Sequence, residues 1–143
     1  MKNQKIHYKI GDTARESRII SNDDIISMAN LIGDFNPLHL DDNYAKNTRF
    51  KGKIAHGVTA IGIISSVLGN KLPGPGTIYL KQSINFLKPI RPGDTVTAVV
   101  IIREINHDSN IIKLSTDCFN QKNQQILEGT AIVLFENISN KVM

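Results

Sequence analysis

The stretch from Gly57 to Asn70 constrains the fold more than any other. Val58, Ala60, Ile61, Ile63, Ile64, Val67 and Leu68 spread around nearly the whole circumference of a helix, and Gly62, Ser65 and Ser66 are small. A helix that is apolar on every side is a buried one, and its small residues let neighbours approach closely. Something must therefore surround it. After a break at Gly69 and Pro73-Gly74-Pro75-Gly76, four strand candidates follow: Ile78–Leu87, Thr95–Ile105, Ile111–Asn120 and Ile126–Glu136. Ile78, Leu80, Ile84 and Phe86 alternate with other residues, as do Ile112, Leu114, Thr116 and Cys118, which is the period of a half-buried strand. The connections Pro92-Gly93-Asp94, Asn106 to Asn110 and Asn120 to Gln124 are built of turn formers. No helix signal separates the strands, so they are expected to pair as an antiparallel meander. An earlier strand, Thr13 to Ile20, is expected at the edge. The fold class is α+β: an antiparallel β-sheet wrapped around one long central α-helix.

The N-terminal half carries the remaining helical signals. Ser21 with Asp23 and Asp24 opens a helix, since the hydroxyl accepts from a free N–H and acids suit the positive end of the dipole. Ile25, Met28, Ala29 and Ile32 make its apolar stripe, and Gly33 and Pro37 end it. A short second helix is expected from Asp41 to Asn47. With 143 residues and no repeat or linker, the chain reads as a single domain, 1–143. Its net charge of +4 is mild and scattered and there is no Trp, so nucleic acid is not indicated as a partner. One cysteine, Cys118, excludes an intrachain disulfide framework and a multi-cysteine metal site. The apolar window Ala55–Leu68 is shorter than the roughly 20 residues of a membrane span, and no signal peptide is visible, so no membrane insertion and a cytoplasmic location are expected.

The densest polar punctuation is Gly33-Asp34-Phe35-Asn36-Pro37-Leu38-His39. The turn at Pro37 can bring the Asp34 carboxylate and the His39 imidazole to face one small volume, where they could hold a water and exchange protons with it. Equally, Asp34 could merely cap the turn and His39 sit in a loop. Gly57 opens the buried helix, whose first N–H groups lack internal partners and could hold a carbonyl oxygen as charge develops. Alternatively it only gives a tight start to that helix. Ser65 and Ser66 lie within the same helix. Ser66 is read as bonding back to the preceding turn, and Ser65 is left open between that and a partner such as Asp34. His56 is assigned to local hydrogen bonding, and His7 and His107 to exposed segments. No phosphate-binding loop, dinucleotide fingerprint or HExxH pattern occurs, and no metal site is expected.

Taken together, the segments resemble one family. Gly33 to His39 matches the G-D-x-N-P-x-H motif of the MaoC-like (R)-specific enoyl-CoA hydratases and dehydratases. Ser21-Asn22-Asp23-Asp24-Ile25, Ile54-Ala55-His56-Gly57 and Phe86-Leu87-Lys88-Pro89-Ile90-Arg91-Pro92-Gly93-Asp94 resemble further segments of that family, in the same order. The resemblance implies the hot-dog fold, a homodimer and a role in fatty-acid metabolism. It also implies reversible hydration of a trans-2-enoyl thioester to an (R)-3-hydroxyacyl thioester. Asp34 and His39 fall on its catalytic pair, Gly57 on its oxyanion donor, Ser65 on its supporting serine, and Asn36 on the motif's asparagine. No cofactor is implied: coenzyme A or acyl-carrier protein enters only as the carrier of the acyl-thioester substrate. Lys81, Lys88 and Arg91 are candidates for contact with the carrier's phosphates. The nearest rival is a dehydratase acting on acyl-carrier-protein thioesters; a thioesterase and a non-catalytic acyl-CoA binding module are further alternatives.

Overall fold

The computed structural model describes residues 6–136. Strand β1 (Thr13–Ile19) leads into helix α1 (Asn22–Ile32), which begins as its sequence dictates. The Ser21 hydroxyl accepts from the Asp24 N–H at 3.1 Å and the Asp24 carboxylate accepts from the Ser21 N–H at 2.9 Å, a reciprocal capping box. Gly33 closes the helix in the left-handed region at φ 76°, donating its N–H to the Ala29 carbonyl. The expected apolar stripe is only partly used: Ile25 and Ala29 are buried, whereas Ile32 is exposed.

Two short helices follow, α2 (Pro37–Leu40) and α3 (Asp42–Ala45). The second lies inside the expected Asp41–Asn47 span; the first was not foreseen. Helix α4 (Val58–Asn70) packs Ala60, Ile63, Ile64, Val67 and Leu68 into the core. It is not covered all round, contrary to the sequence reading. Val58, Gly62 and Ser65 stay exposed, because the sheet of one chain reaches only one side of the helix.

Strands β2 (Thr77–Phe86), β3 (Thr95–Asn106), β4 (Ile111–Phe119) and β5 (Gln125–Phe135) complete an antiparallel sheet in the order β1-β3-β4-β5-β2. This is the hot-dog arrangement, with one correction to the expected meander. Only β3, β4 and β5 follow one another; β2 pairs with β5 and not with β3. The cause is the connection across residues 87–94. Instead of turning tightly, it is pinned at one end to the Ile126 carbonyl, by the Leu87 and Lys88 N–H groups. Midway the Ile90 carbonyl accepts from Ala55, and at the far end Gly93 donates to Ile20. The chain is thereby carried across the mouth of the sheet to the β1 side.

The inner face of the sheet supplies the rest of the core. Val96, Ala98, Val100 and Ile102 of β3 alternate inward with Ile112, Leu114, Thr116 and Cys118 of β4. On β2 the expected alternation runs the other way. Ile78 and Leu80 face outward, and a register shift between Tyr79 and Lys81 then turns Ile84 towards the core. A bulge of this kind inverts the faces of a strand.

Candidate active site

The polar segment after α1 folds on its own side chains. The Asp34 carboxylate accepts from the Asn36 N–H at 3.1 Å, and the Asn36 side chain accepts from the Leu38 N–H at 3.1 Å, capping α2 with Pro37 in its first turn. One helical turn then carries His39 inward, where it is 7% exposed. Its Nδ1 lies 2.7 Å from the Ile54 carbonyl. A carbonyl can only accept, so Nδ1 carries the proton and Nε2 is the free end. Nε2 faces the Asp34 carboxylate at 4.0 Å, beyond a direct hydrogen bond. Asp34 itself is half-exposed. A buried imidazole and a solvent-reachable carboxylate thus share one gap.

His56 is the residue that sequence reasoning undervalued. It is buried, its ring stacks on His39 with centroids 3.9 Å apart, and its Nε2 donates to the Asp34 backbone carbonyl at 3.0 Å. Its Nδ1 is the one buried side-chain polar atom without a partner among the described residues. The signal available in the sequence was only a histidine between Ala55 and Gly57, next to a helix start.

Asp34, His39 and His56 each offer an atom within 4.8 Å of the others, a spacing a metal ion could use. The ring arrangement does not favour it. The two imidazoles are stacked at an interplanar angle of 29° with centroids 3.9 Å apart, so one ion near both nitrogens would lie out of at least one ring plane.

Gly57 stands at the start of α4 with helical φ and ψ, and its N–H has no acceptor among the described residues. A Cβ at this position would lie 2.8 Å from the Phe86 ring, so a larger residue would have to push that exposed ring aside. Gly57 and His39 both open into a cavity of about 350 Å³, walled mainly by apolar residues such as Ile54, Ala60, Phe86 and Leu127. Asp34, Asn36, His39 and Gly57 are therefore gathered at one end of α4. Ser65 is not. It is exposed farther along the helix, and no hydrogen bond joins it to Asp34.

The three basic candidates separate. Lys88 lines the cavity mouth. Arg91 turns its guanidinium onto the carbonyls of Phe50 and Gly52, holding that loop. Lys81 lies in β2 and does not line this cavity.

Comparison with known proteins agrees with this architecture. The family model described as "MaoC like domain" matches residues 5–120. An (R)-specific enoyl-CoA hydratase of Rhodospirillum rubrum is 41% identical over 133 residues, covering 90% of this chain and 92% of the relative. A 3-hydroxybutyryl-CoA dehydratase of Methylorubrum extorquens is 38% identical, covering 87% of this chain and 79% of the relative. The solved structure of an (R)-hydratase from A. caviae superposes with a TM-score of 0.87 at 38% identity, over 91% of this chain and 98% of that one. The chain belongs to the MaoC-like family.

Proposed function

We propose that the chain is an (R)-specific enoyl-CoA hydratase, a hydro-lyase that interconverts trans-2-enoyl-CoA and (R)-3-hydroxyacyl-CoA. The observation that carries this reading is the gap between the Asp34 carboxylate and His39 Nε2, opened beside the unpaired Gly57 N–H at an apolar cavity. The thioester carbonyl accepts from Gly57 N–H, which draws electrons from the conjugated double bond and makes C3 electrophilic. A water lodged to one side of the Asp34–His39 pair, whose nearest atoms are 4.0 Å apart, can hydrogen-bond to both. Asp34 takes a proton from it while the oxygen bonds C3. The electron pair of the double bond moves onto the carbonyl oxygen, where Gly57 holds the charge. C2 then receives a proton from the Asp34–His39 pair and the carbonyl re-forms. One water has been added, and the reverse sequence is dehydration. Asn36 positions the pair by holding both the carboxylate and the first turn of α2. Every step is proton transfer or charge stabilisation by these groups, so no metal or redox cofactor takes part, and coenzyme A serves as carrier.

The protein is further proposed to be a cytoplasmic homodimer joined through β2. Both β1 and β2 are edges of the sheet. Strand β1 carries Arg15, Glu16 and Arg18, the kind of charge that blunts an edge, whereas β2 presents Ile78 and Leu80 at 41% and 53% exposure.

The deciding experiment follows the loss of conjugated-enoyl absorbance when purified protein meets crotonyl-CoA, with the product's chirality assigned. Rapid loss yielding the (R)-alcohol is expected, and Asp34→Asn should lower kcat by about 2–4 powers of ten. Inactivity on crotonyl-CoA, longer enoyl-CoA and acyl-carrier-protein thioesters would sink the reading. Turnover confined to the carrier-protein thioester would reassign the chain to the dehydratases.

A further inference from the structure

Between α3 and α4 the chain runs as a strap over residues 50–57, and its far end carries contacts on which the candidate site depends. The Ile54 carbonyl accepts from His39 Nδ1, His56 stacks on His39 and donates to the Asp34 carbonyl, and Gly57 opens into the cavity. Phe50, Ile54 and Ala55 form part of that cavity's wall.

The near end of the strap is strained. Lys51 stands at φ 60°, the left-handed region that a residue with a Cβ enters only at a cost. Such a conformation persists where its surroundings impose it. Arg91 is the group that does so. Its Nη1 donates to the Gly52 carbonyl at 3.2 Å and its Nη2 donates to the Phe50 carbonyl. The carbonyls on either side of Lys51 thus converge on one planar fork, a geometry that a guanidinium offers and an ammonium does not. Arg91 is half-buried, and among the described residues its guanidinium has no carboxylate within 4.0 Å. The other pins differ in kind. The Ala55 N–H donates to the Ile90 carbonyl at 2.8 Å, which any residue at position 90 would accept, and Lys53 Nζ reaches the exposed Asn22 side chain at 2.7 Å. The Arg91 clamp is the pin that a single substitution removes.

We propose that Arg91 is a positioning residue for the reaction. By clamping the Phe50 and Gly52 carbonyls it fixes the path of the strap, and with it the Ile54 carbonyl that keeps the proton on His39 Nδ1 and leaves Nε2 free to face Asp34. Without the clamp Lys51 relaxes, the Ile54 carbonyl draws back, and the His39 proton is shared between the two nitrogens. A ring protonated on Nε2 has no lone pair to offer the water beside Asp34. The proposal rests on the hydratase reading for the reaction, but not for the tautomer.

Two measurements test it. In histidine-labelled protein, ¹⁵N NMR should show His39 protonated on Nδ1 alone in the wild type and on both nitrogens in exchange in Arg91→Met, with the His39 signals identified by their loss in His39→Gln. In steady-state assays Arg91→Met should lower kcat about tenfold, by the same factor on crotonyl-CoA and on phosphate-free crotonyl-pantetheine, with little change in KM. Arg91→Lys, which bonds one carbonyl at a time, should recover part of the loss, and it answers the same question should the methionine variant not fold. An unchanged tautomer would overturn the assignment. So would a loss confined to crotonyl-CoA, which would make Arg91 a contact of the carrier. If the wild-type protein turned over neither thioester, the hydratase reading would fail separately, and the tautomer spectra would still decide the role of Arg91.

Discussion

The proposed chemistry rests on three side chains, and each is placed by a bond that its neighbours dictate. The Ile54 carbonyl chooses the tautomer of His39, the Asn36 N–H aims the Asp34 carboxylate, and His56 braces both from behind. His56→Phe keeps a ring to stack but removes the donor to the Asp34 carbonyl. It should lower kcat by about 10²-fold with little change in KM, the loss expected when a reacting group drifts by an ångström. His56→Gln, which can restore a donor, should recover part of that loss in the same steady-state assay. At Gly57 the constraint is steric. Gly57→Ala should lower kcat/KM, and combination with Phe86→Leu should return part of the activity, a coupling that a double-mutant cycle would measure. The approach of Asp34 to His39 was open to inference from the sequence, because Asn36 and Pro37 specify a tight turn and its direction. The importance of His56 was not. Its partners are a backbone carbonyl and another ring, and neither leaves a pattern of residue types.

The elements show what local signals decide. Ser21 with Asp24 and the left-handed Gly33 delimit α1 because capping needs only neighbours in sequence. Ser21→Ala should therefore cost about 1 kcal/mol of stability in chemical denaturation. The strands were legible from alternation, yet their order was not, since alternation tells a strand which way to face and not whom to pair with. Helix α2 escaped notice because four residues, Pro37–Leu40, are too few to show a period. In the middle of the sheet, burial pushes the Cys118 thiol up to about 12, with the neighbouring Asp117 carboxylate adding to the effect. The thiolate is the reactive form, so Cys118 should resist a disulfide reagent at pH 8 in the native protein and react fully in denaturant. Unfolding restores an ordinary thiol. Ionisation then favours the unfolded chain, and stability should fall as pH climbs from the ordinary value of 9.0 towards about 12. Denaturation midpoints measured across that range for the wild type and Cys118→Ala would isolate the contribution.

Over the whole molecule, the open side of α4 and the outward apolar residues of β2 are the surfaces the proposed dimer would cover. Ile78→Lys/Leu80→Lys should convert the proposed dimer to monomer, read as a halving of mass in analytical ultracentrifugation. The apolar circumference of α4 had shown that the helix needs covering on all sides. It could not show that one chain covers only part of it. The pairing of β2 with β5 also has a consequence for how the protein is made. Thr77 meets Phe135, while the β3–β4–β5 meander closes through short turns. Contacts between distant parts of the chain are slow to form. The meander can therefore assemble first, whereas β2 leaves the ribosome well before its partner and must wait for the last strand. Synthesis keeps β2, the edge of the proposed dimer, unpaired until β5 emerges, so the candidate site would be completed and that edge prepared at nearly the same moment.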